Sequence, residues 1–453
     1  MAPVVLKFGG TSVRDADALR RLIQIVRNTS GAPVVVVSAL AGVTNALVDL
    51  ARGRGDRAAA TACLDALLER HLDLAYALTS GALQQAAIEH LAAIFQGAGA
   101  LARREAPLSA AERDTLLAAG ELASSRLVSA VLASAGVDAI WIDARRAVVT
   151  DDRHGAARPC LEQTRDAARR EILPYLAAAR VPVIGGFVGA TRAAQPTTLG
   201  RGGSDYSAAI LAAALDAVRV EIWTDVDGLL SADPAVVSDA QSLPHLSGVE
   251  AYDLARFGAR VLHAGTLEPT AQPRIPVVVR NARRPAGSGT QISPGAEDRP
   301  SIAGLAHRSA VSFIDLVARD LGASGEFLRL VAECVDHGAN HAVTPVAVSP
   351  QRALVAVDDA SVAGEIERRL DGVAEVVSIE RGGLVALVGH GVQSDPTAWR
   401  ALLDLHERSA VRRVVQSSSG CALVAITAPS LADDVVRELH GRVIAAHRAM
   451  EVA

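Results

Sequence analysis

Four cysteines are all that this 453-residue sequence holds, Cys63, Cys160, Cys334 and Cys421, and no two of them form a CxxC pair. Isolated thiols exclude a disulfide framework and a zinc-ligand pattern and fit a reducing compartment. An excess of positive charge is missing as well. The formal net charge is −5 and the isoelectric point about 6.2, so no broad basic field invites nucleic acid. Any phosphate must be met by local cations. Long apolar runs are also lacking: alanine-rich stretches such as Ile210–Leu215 are too short to span a bilayer. The opening Met1-Ala-Pro-Val-Val-Leu-Lys-Phe8 runs straight into a strand-like segment, without the basic start, apolar core and cleavage site of a signal peptide. These absences predict a cytoplasmic protein with no membrane and no nucleic-acid partner.

What is present reads as globular: 50% of residues are hydrophobic and 21% charged. The length predicts two or three domains. Up to about residue 295, short β-branched runs alternate with helical patterns, which predicts an α/β fold with a mostly parallel sheet and helices on both faces. Strands are expected at Val4–Lys7, Val34–Val37, Ala139–Ile142, Val181–Ile184, Val220–Trp223 and Val277–Val279. A helix is expected to open at Thr11-Ser12, with Ser12 and Asp15 in a capping-box spacing. Residues 57–135 are rich in Ala and Leu without a strand signal and predict a helical insertion. Residues 283–300, rich in Gly, Pro, Ser and Arg, read as a linker. Beyond it, from 301 to 453, the pattern predicts two small αβ units in tandem, a regulatory module more than a second catalytic domain.

Five Gly- and polar-rich segments fall at the carboxyl ends of predicted strands, where open α/β sheets place their ligands. They are Lys7-Phe-Gly-Gly-Thr-Ser12, Ser38-Ala-Leu-Ala-Gly-Val-Thr44, Gly185-Gly-Phe-Val-Gly189, Thr197-Thr-Leu-Gly-Arg-Gly-Gly-Ser-Asp205 and Trp223-Thr-Asp-Val-Asp-Gly228. Phosphoryl transfer asks a protein for positioning and for positive charge on the moving group. A lysine leaving a strand before Gly9 and Gly10 lets an ammonium and backbone N–H groups converge on phosphate oxygens, with a helix N-terminus behind them. Arg201 offers a planar fork for a carboxylate and Asp205 a partner for an ammonium, so one loop can grip the zwitterionic head of an amino acid. Each item alone has an ordinary reading. Lys-Phe-Gly-Gly is a common strand-to-helix turn, Glu121 fits a solvated helix face, Thr44 a helix cap, Trp141 and Trp223 core positions, and His263 a satisfied structural histidine. The ordered set carries the inference.

In that order the segments resemble the aspartate kinases of the amino-acid-kinase superfamily, over residues 4 to about 295, and most of all the single-function, lysine-sensitive type. The resemblance implies a three-layer amino-acid-kinase sandwich and transfer of the ATP γ-phosphoryl group to L-aspartate, the first step of aspartate-family amino-acid biosynthesis. It implies that Lys7 stabilises the moving phosphoryl group and that Asp205 orients Lys7. Ser38 and Thr44 would hold the side-chain carboxylate, Arg201 the α-carboxylate, and Glu121 with Asp205 the α-amine. Ser204 and Phe187 would complete the substrate site, and Gly9, Gly10, Thr224, Asp225, Leu230 and Arg260 the nucleotide site, with Mg2+ carried by the phosphates. The nucleotide side departs from the family pattern. Leu230 stands where an aromatic residue is usual, Ala235 where an arginine is common, and Arg260 and Ala264 replace the lysine and proline of a Phe-Gly-Ala-Lys-Val-Leu-His-Pro motif. A weakened hold on ATP is the expectation. Residues 301–453 resemble paired ferredoxin-like ACT modules, which implies a homodimer. Ala347-Val-Ser349 stands where the family has the Thr-Ser-Glu that helps bind lysine, so lysine feedback is expected to be weak or absent. A paralogue acting on another amino-acid carboxylate, or a weakly catalytic sensing subunit, are the competing expectations.

Overall fold

The computed structural model describes residues 1–53, 56–259, 261–295, 302–320, 322, 324–337, 343–359 and 362–444. Arg260, expected at the nucleotide site, lies outside these described residues. The chain divides into two compact units, the first comprising Met1–Gly228 and Gly265–Pro294, the second Leu229–Ala264 and Gly295–Ala453. The sequence-based boundary at 295 differs in one respect: residues 229–264 pack with the second unit.

The first unit opens with β1 (Pro3–Phe8), α1 (Ala16–Arg27), β2 (Ala32–Val37) and α2 (Val43–Ala51). Helices α3 (Arg57–Leu78), α4 (Gly81–Ala102) and α5 (Ala110–Ser134) then pass without a strand. Next come β3 (Ala139–Ile142), α6 (Ala144–Ala147), β4 (Val149–Thr150), α7 (Leu161–Ala177) and β5 (Val181–Gly185). They lead to β6 (Val188–Thr191), β7 (Pro196–Thr198), α8 (Gly203–Ala214) and β8 (Arg219–Thr224). After a segment of the second unit carrying β9 (His245–Ser247) and α9 (Gly248–Phe257), the chain returns with α10 (Glu268–Ala271), β10 (Val277–Asn281) and β11 (Thr290–Ser293).

Val-rich β1, β2 and β5 read as continuous apolar runs because helices cover them on both faces, and nearly every side chain in them is buried. Within the first unit the sheet runs in the order β3-β5-β2-β1-β8-β10-β11, parallel apart from the antiparallel β10–β11 pair. Strand order reverses at β1, with β2 on one side and β8 on the other. That switch point opens a crevice at the carboxyl ends of the strands. Two expectations are corrected here. Thr11-Ser12 lie in a short 3-10 turn, Gly10–Ser12, and the α-helix itself opens at Ala16: Asp15 is its N-cap and accepts the Ala18 N–H at 2.8 Å, while Ser12 turns its hydroxyl to the Trp223 carbonyl at 3.1 Å. The supposed linker 283–300 contains β11, and the small sheet β4-β6-β7 escaped detection because its strands run two to four residues. Helix α5 has the length and apolarity to cross a membrane, yet 72% of its apolar window is buried inside the protein.

In the second unit follow β12 (Gly304–Ala318), α11 (Ser324–His337), β13 (Val343–Val348), β14 (Arg352–Val357) and α12 (Val362–Arg369). The chain ends with β15 (Ala374–Val388), α13 (Pro396–Glu407), β16 (Val411–Gln416), β17 (Ala422–Thr427) and α14 (Ala432–Leu439). The two expected αβ units share one antiparallel sheet of order β13-β14-β12-β15-β17-β16. Strands β12 and β15 are each 15 residues long and serve two separate apolar clusters. One cluster, around Phe327, Val331 and Ile366, covers the end of β12 beyond Ile314; the other, around Leu402, Val436 and Leu439, covers Leu305 and Val385. Strand β15 runs unbroken through Arg381-Gly-Gly383. A Cβ on Gly382 would stand 2.9 Å from the Phe313 ring, so glycine keeps the paired strands in contact. All four cysteines are free.

Candidate active site

Lys7 is the next-to-last residue of β1, and its ammonium emerges at the switch point while only 8% of the residue is exposed. A buried ammonium needs an anion beside it. Asp205 Oδ1 lies 2.5 Å from Lys7 Nζ, in the first turn of α8. The turn after β1 is locked to its neighbours: Gly9 N–H donates to the Trp223 carbonyl at 3.1 Å, and Ala41 N–H donates to the Gly10 carbonyl at 3.2 Å. A Cβ on Gly10 would come 2.9 Å from the Ala39 oxygen, so no side chain fits there. Gly9 has ordinary room, and a side chain on it would stand 3.6 Å from the Lys7 amine.

Glu121 reaches the same place from α5. It is 3% exposed, and its Oε2 is buried with no hydrogen-bond partner among the described residues. Burial pushes its carboxyl up to about 8, with the Ala39 N–H, its own backbone N–H and the Lys7 charge pulling back. An orphaned, reluctant carboxyl next to an ion pair is a site waiting for a cation. The Gly185-Gly186 turn allows the elements to close on it. A Cβ on Gly185 would lie 2.9 Å from the Glu121 carbonyl, and one on Gly186 would lie 2.8 Å from Ser204 Cα.

The remaining expected residues line the same strand ends. Ser38 directly follows β2, half-buried, its N–H donating to Phe8 O at 3.0 Å and its carbonyl accepting from Ser124 Oγ at 2.8 Å. Thr44 is half-buried in the first turn of α2, whose N-cap is left-handed Gly42. Arg201 is exposed between Gly200 and Gly202, both at positive φ, and stands four residues before Asp205 on the same loop-to-helix turn. Phe187 adopts φ +66°, rare for an aromatic residue. This backbone lets its N–H donate to Ser207 Oγ at 2.8 Å while its carbonyl accepts Leu199 N–H at 2.9 Å, so it braces both sides of the glycine loop. At the end of β8, Thr224 is half-buried and Asp225 exposed, with the Thr224 hydroxyl 3.3 Å from Asp225 Oδ1. Leu230 belongs to the second unit, where it bridges Ser242, and is described apart from this crevice.

Sequence reasoning missed Asp114, buried on α5, whose carboxylate accepts from His154, Gly155 and Thr198. The usable signal was its place seven residues before Glu121, two turns back on one helix face. It also missed Ser207 and Ser124, whose hydroxyls hold backbone at the site.

Comparison with known proteins yields a consistent set. Residues 2–281 match the amino acid kinase family. The chain is 34% identical to lysine-sensitive aspartokinase 3 of Escherichia coli (strain K12), over 96% of its own length and 98% of that protein. It is 30% identical to the aspartokinase of Chlamydia pneumoniae, over 97% of each. Among solved structures it resembles E. coli aspartokinase III in complex with aspartate and ADP (R-state), with a TM-score of 0.84 at 32% identity, covering 97% of this chain and 99% of that one. The same enzyme with lysine and aspartate (T-state) gives a TM-score of 0.74 at 32% identity, covering 97% and 98%.

Proposed function

The chain belongs to the amino acid kinase family and is an aspartate kinase, and from that premise we propose what each residue of the crevice does. The reaction converts ATP and L-aspartate to ADP and 4-phospho-L-aspartate. An oxygen of the side-chain carboxylate bonds to the γ-phosphorus while the bridge to the β-phosphate breaks, and ADP leaves with the electron pair. Carboxylate and triphosphate are both anions, so they approach only where positive charge is fixed in advance. Lys7 supplies that charge, and Asp205 keeps the ammonium aimed at the strand ends. The Gly9 and Gly10 turn presents backbone to the phosphates. Ser38 and Thr44 hold the reacting carboxylate by hydroxyl and backbone donors. Arg201 takes the α-carboxylate, with Ser204 and the Phe187 backbone shaping its loop. Glu121 takes the α-ammonium, which satisfies its orphan oxygen and draws off its proton. Thr224 and Asp225 lie under the nucleoside.

Magnesium travels with the nucleotide in this reading. Asp205 is paired with Lys7, the free oxygen of Glu121 is kept for the α-ammonium, and no cluster of three His, Cys, Asp or Glu side chains among the described residues could hold an ion. Its chemistry is to neutralise oxygens of the β- and γ-phosphates. The second unit acts as paired ACT modules, through which the chain forms a homodimer in the cytoplasm.

One observation carries the assignment: the ion pair of Lys7 with Asp205 at the switch point, beside a buried carboxyl lacking a partner. A coupled ADP-release assay over a panel of aspartate, glutamate, N-acetylglutamate and homologous diacids tests it. Turnover with aspartate at least tenfold above the rest is expected; preference for another acid overturns the assignment.

A further inference from the structure

Asp114 has no part in the roles above, yet it is 1% exposed and accepts four hydrogen bonds. Its Oδ2 accepts from His154 Nδ1 at 2.9 Å, Gly155 N–H at 3.0 Å and Thr198 N–H at 3.1 Å, and its Oδ1 accepts from Thr198 Oγ1 at 2.6 Å. These donors come from two segments, the loop 151–158 and strand β7. Thr198 is the last residue of β7 and leads directly into Leu199-Gly200-Arg201. The loop 151–158 flanks that turn from outside. Ala157 N–H donates to Thr198 O at 2.9 Å, and a Cβ on Gly200 would lie 3.2 Å from Gly155 O. One carboxylate therefore pins both the root and the flank of the loop that presents Arg201.

Asp114 and Glu121 also share helix α5, two turns apart on one face. The rod that delivers Glu121 to the strand ends is the rod that fixes the Arg201 loop. Building on the proposed reading, in which Glu121 meets the α-ammonium and Arg201 the α-carboxylate, we propose that Asp114 is a positioning residue that sets the spacing between those two grips. It touches no substrate. It determines whether both α-groups of one amino acid are reached together, and His154 and Thr198 are the partners through which it acts.

The test uses the full chain carrying Asp114→Asn, which keeps the shape but turns one acceptor oxygen into a donor facing donors. Steady-state kinetics are expected to show the aspartate KM raised about tenfold, with the ATP KM within about twofold and kcat lowered by less than about threefold. Hydrogen exchange of peptides covering 198–206 is expected to quicken, while those in β1 and β2 keep their rates. Thr198→Val is the milder variant, removing only the hydroxyl link, with an aspartate KM raised about threefold. It decides the matter should Asp114→Asn fail to fold. Unchanged exchange at 198–206, or quickened exchange with an unchanged aspartate KM, overturns the proposal. A wild-type chain that turns over no aspartate would instead sink the functional reading, and exchange alone would then decide the positioning claim.

Discussion

The two ends of the first unit's crevice are built on opposite terms. At the β1 end, Lys7, Glu121 and Ser12 are buried and Asp205 is held against Lys7; at the β8 end, Thr224 is half-buried, Asp225 is exposed, and Asp227 pairs with exposed Arg284. Charges removed from water interact several times more strongly than charges at the surface. At the buried end, removing one member of a charge pair would therefore leave its partner uncompensated and out of water. At the wet end, screening reduces the cost of substitution. The sequence departs from the family pattern on the nucleotide side, at Leu230, Ala235 and Arg260.

Substitutions break or sharpen that contrast. Lys7→Ala should have the largest effect, a fall in kcat of about a hundred- to a thousandfold with the fold intact by circular dichroism. A loss under tenfold would mean that the buried end does not carry the chemistry. Arg201→Ala should raise the aspartate KM about thirtyfold and leave kcat within a few-fold, because the guanidinium grips the far end of the substrate. The reverse pattern would exchange binding for catalysis.

Glu121 gives a pH signature of intermediate size. Burial lifts its carboxyl from an ordinary 4.5 to about 8, so the folded chain holds a proton there that the unfolded chain releases. Its contribution to stability is full below about 4.5 and is lost as pH rises toward 8. Aspartate binding has the opposite sign, since the ammonium needs the ionised form: the aspartate KM should fall about fivefold between pH 7 and 8. Glu121→Gln should flatten both curves, and a variant that still follows the wild-type KM profile would exclude Glu121 from that role. The smallest effect is expected at Leu230, in the second unit. Leu230→Tyr should lower the ATP KM only about two- to threefold, measured by initial rates at saturating aspartate.

The strand-end motifs were legible because they combine rare residues in fixed order. Lys7 and Asp205, almost two hundred residues apart in sequence, form an ion pair at 2.5 Å. Short elements were not legible: β4, with two residues, has no period to detect. Arg381-Gly-Gly383 shows a different limit of sequence pattern. Its glycines serve tertiary contact with Phe313 and not a turn, and one-dimensional pattern cannot tell these apart. Asp114 was invisible because a single acidic residue early in a helix normally faces water. Only the closing of loop 151–158 and β7 over it makes it a junction.

The length of β12 and β15 has a consequence for anyone who cuts this gene. Each strand is 15 residues long and pairs with the other across both halves of the second unit, with register shifts at Arg308/Val311 and Asp315/Leu316, so the halves share one sheet. A fragment ending at residue 370 would strip β12 of β15, leaving it paired only with β14 over Ser312–Val317 and exposing its other edge, the usual start of aggregation. For folding, the two halves that look separable in sequence stand or fall together.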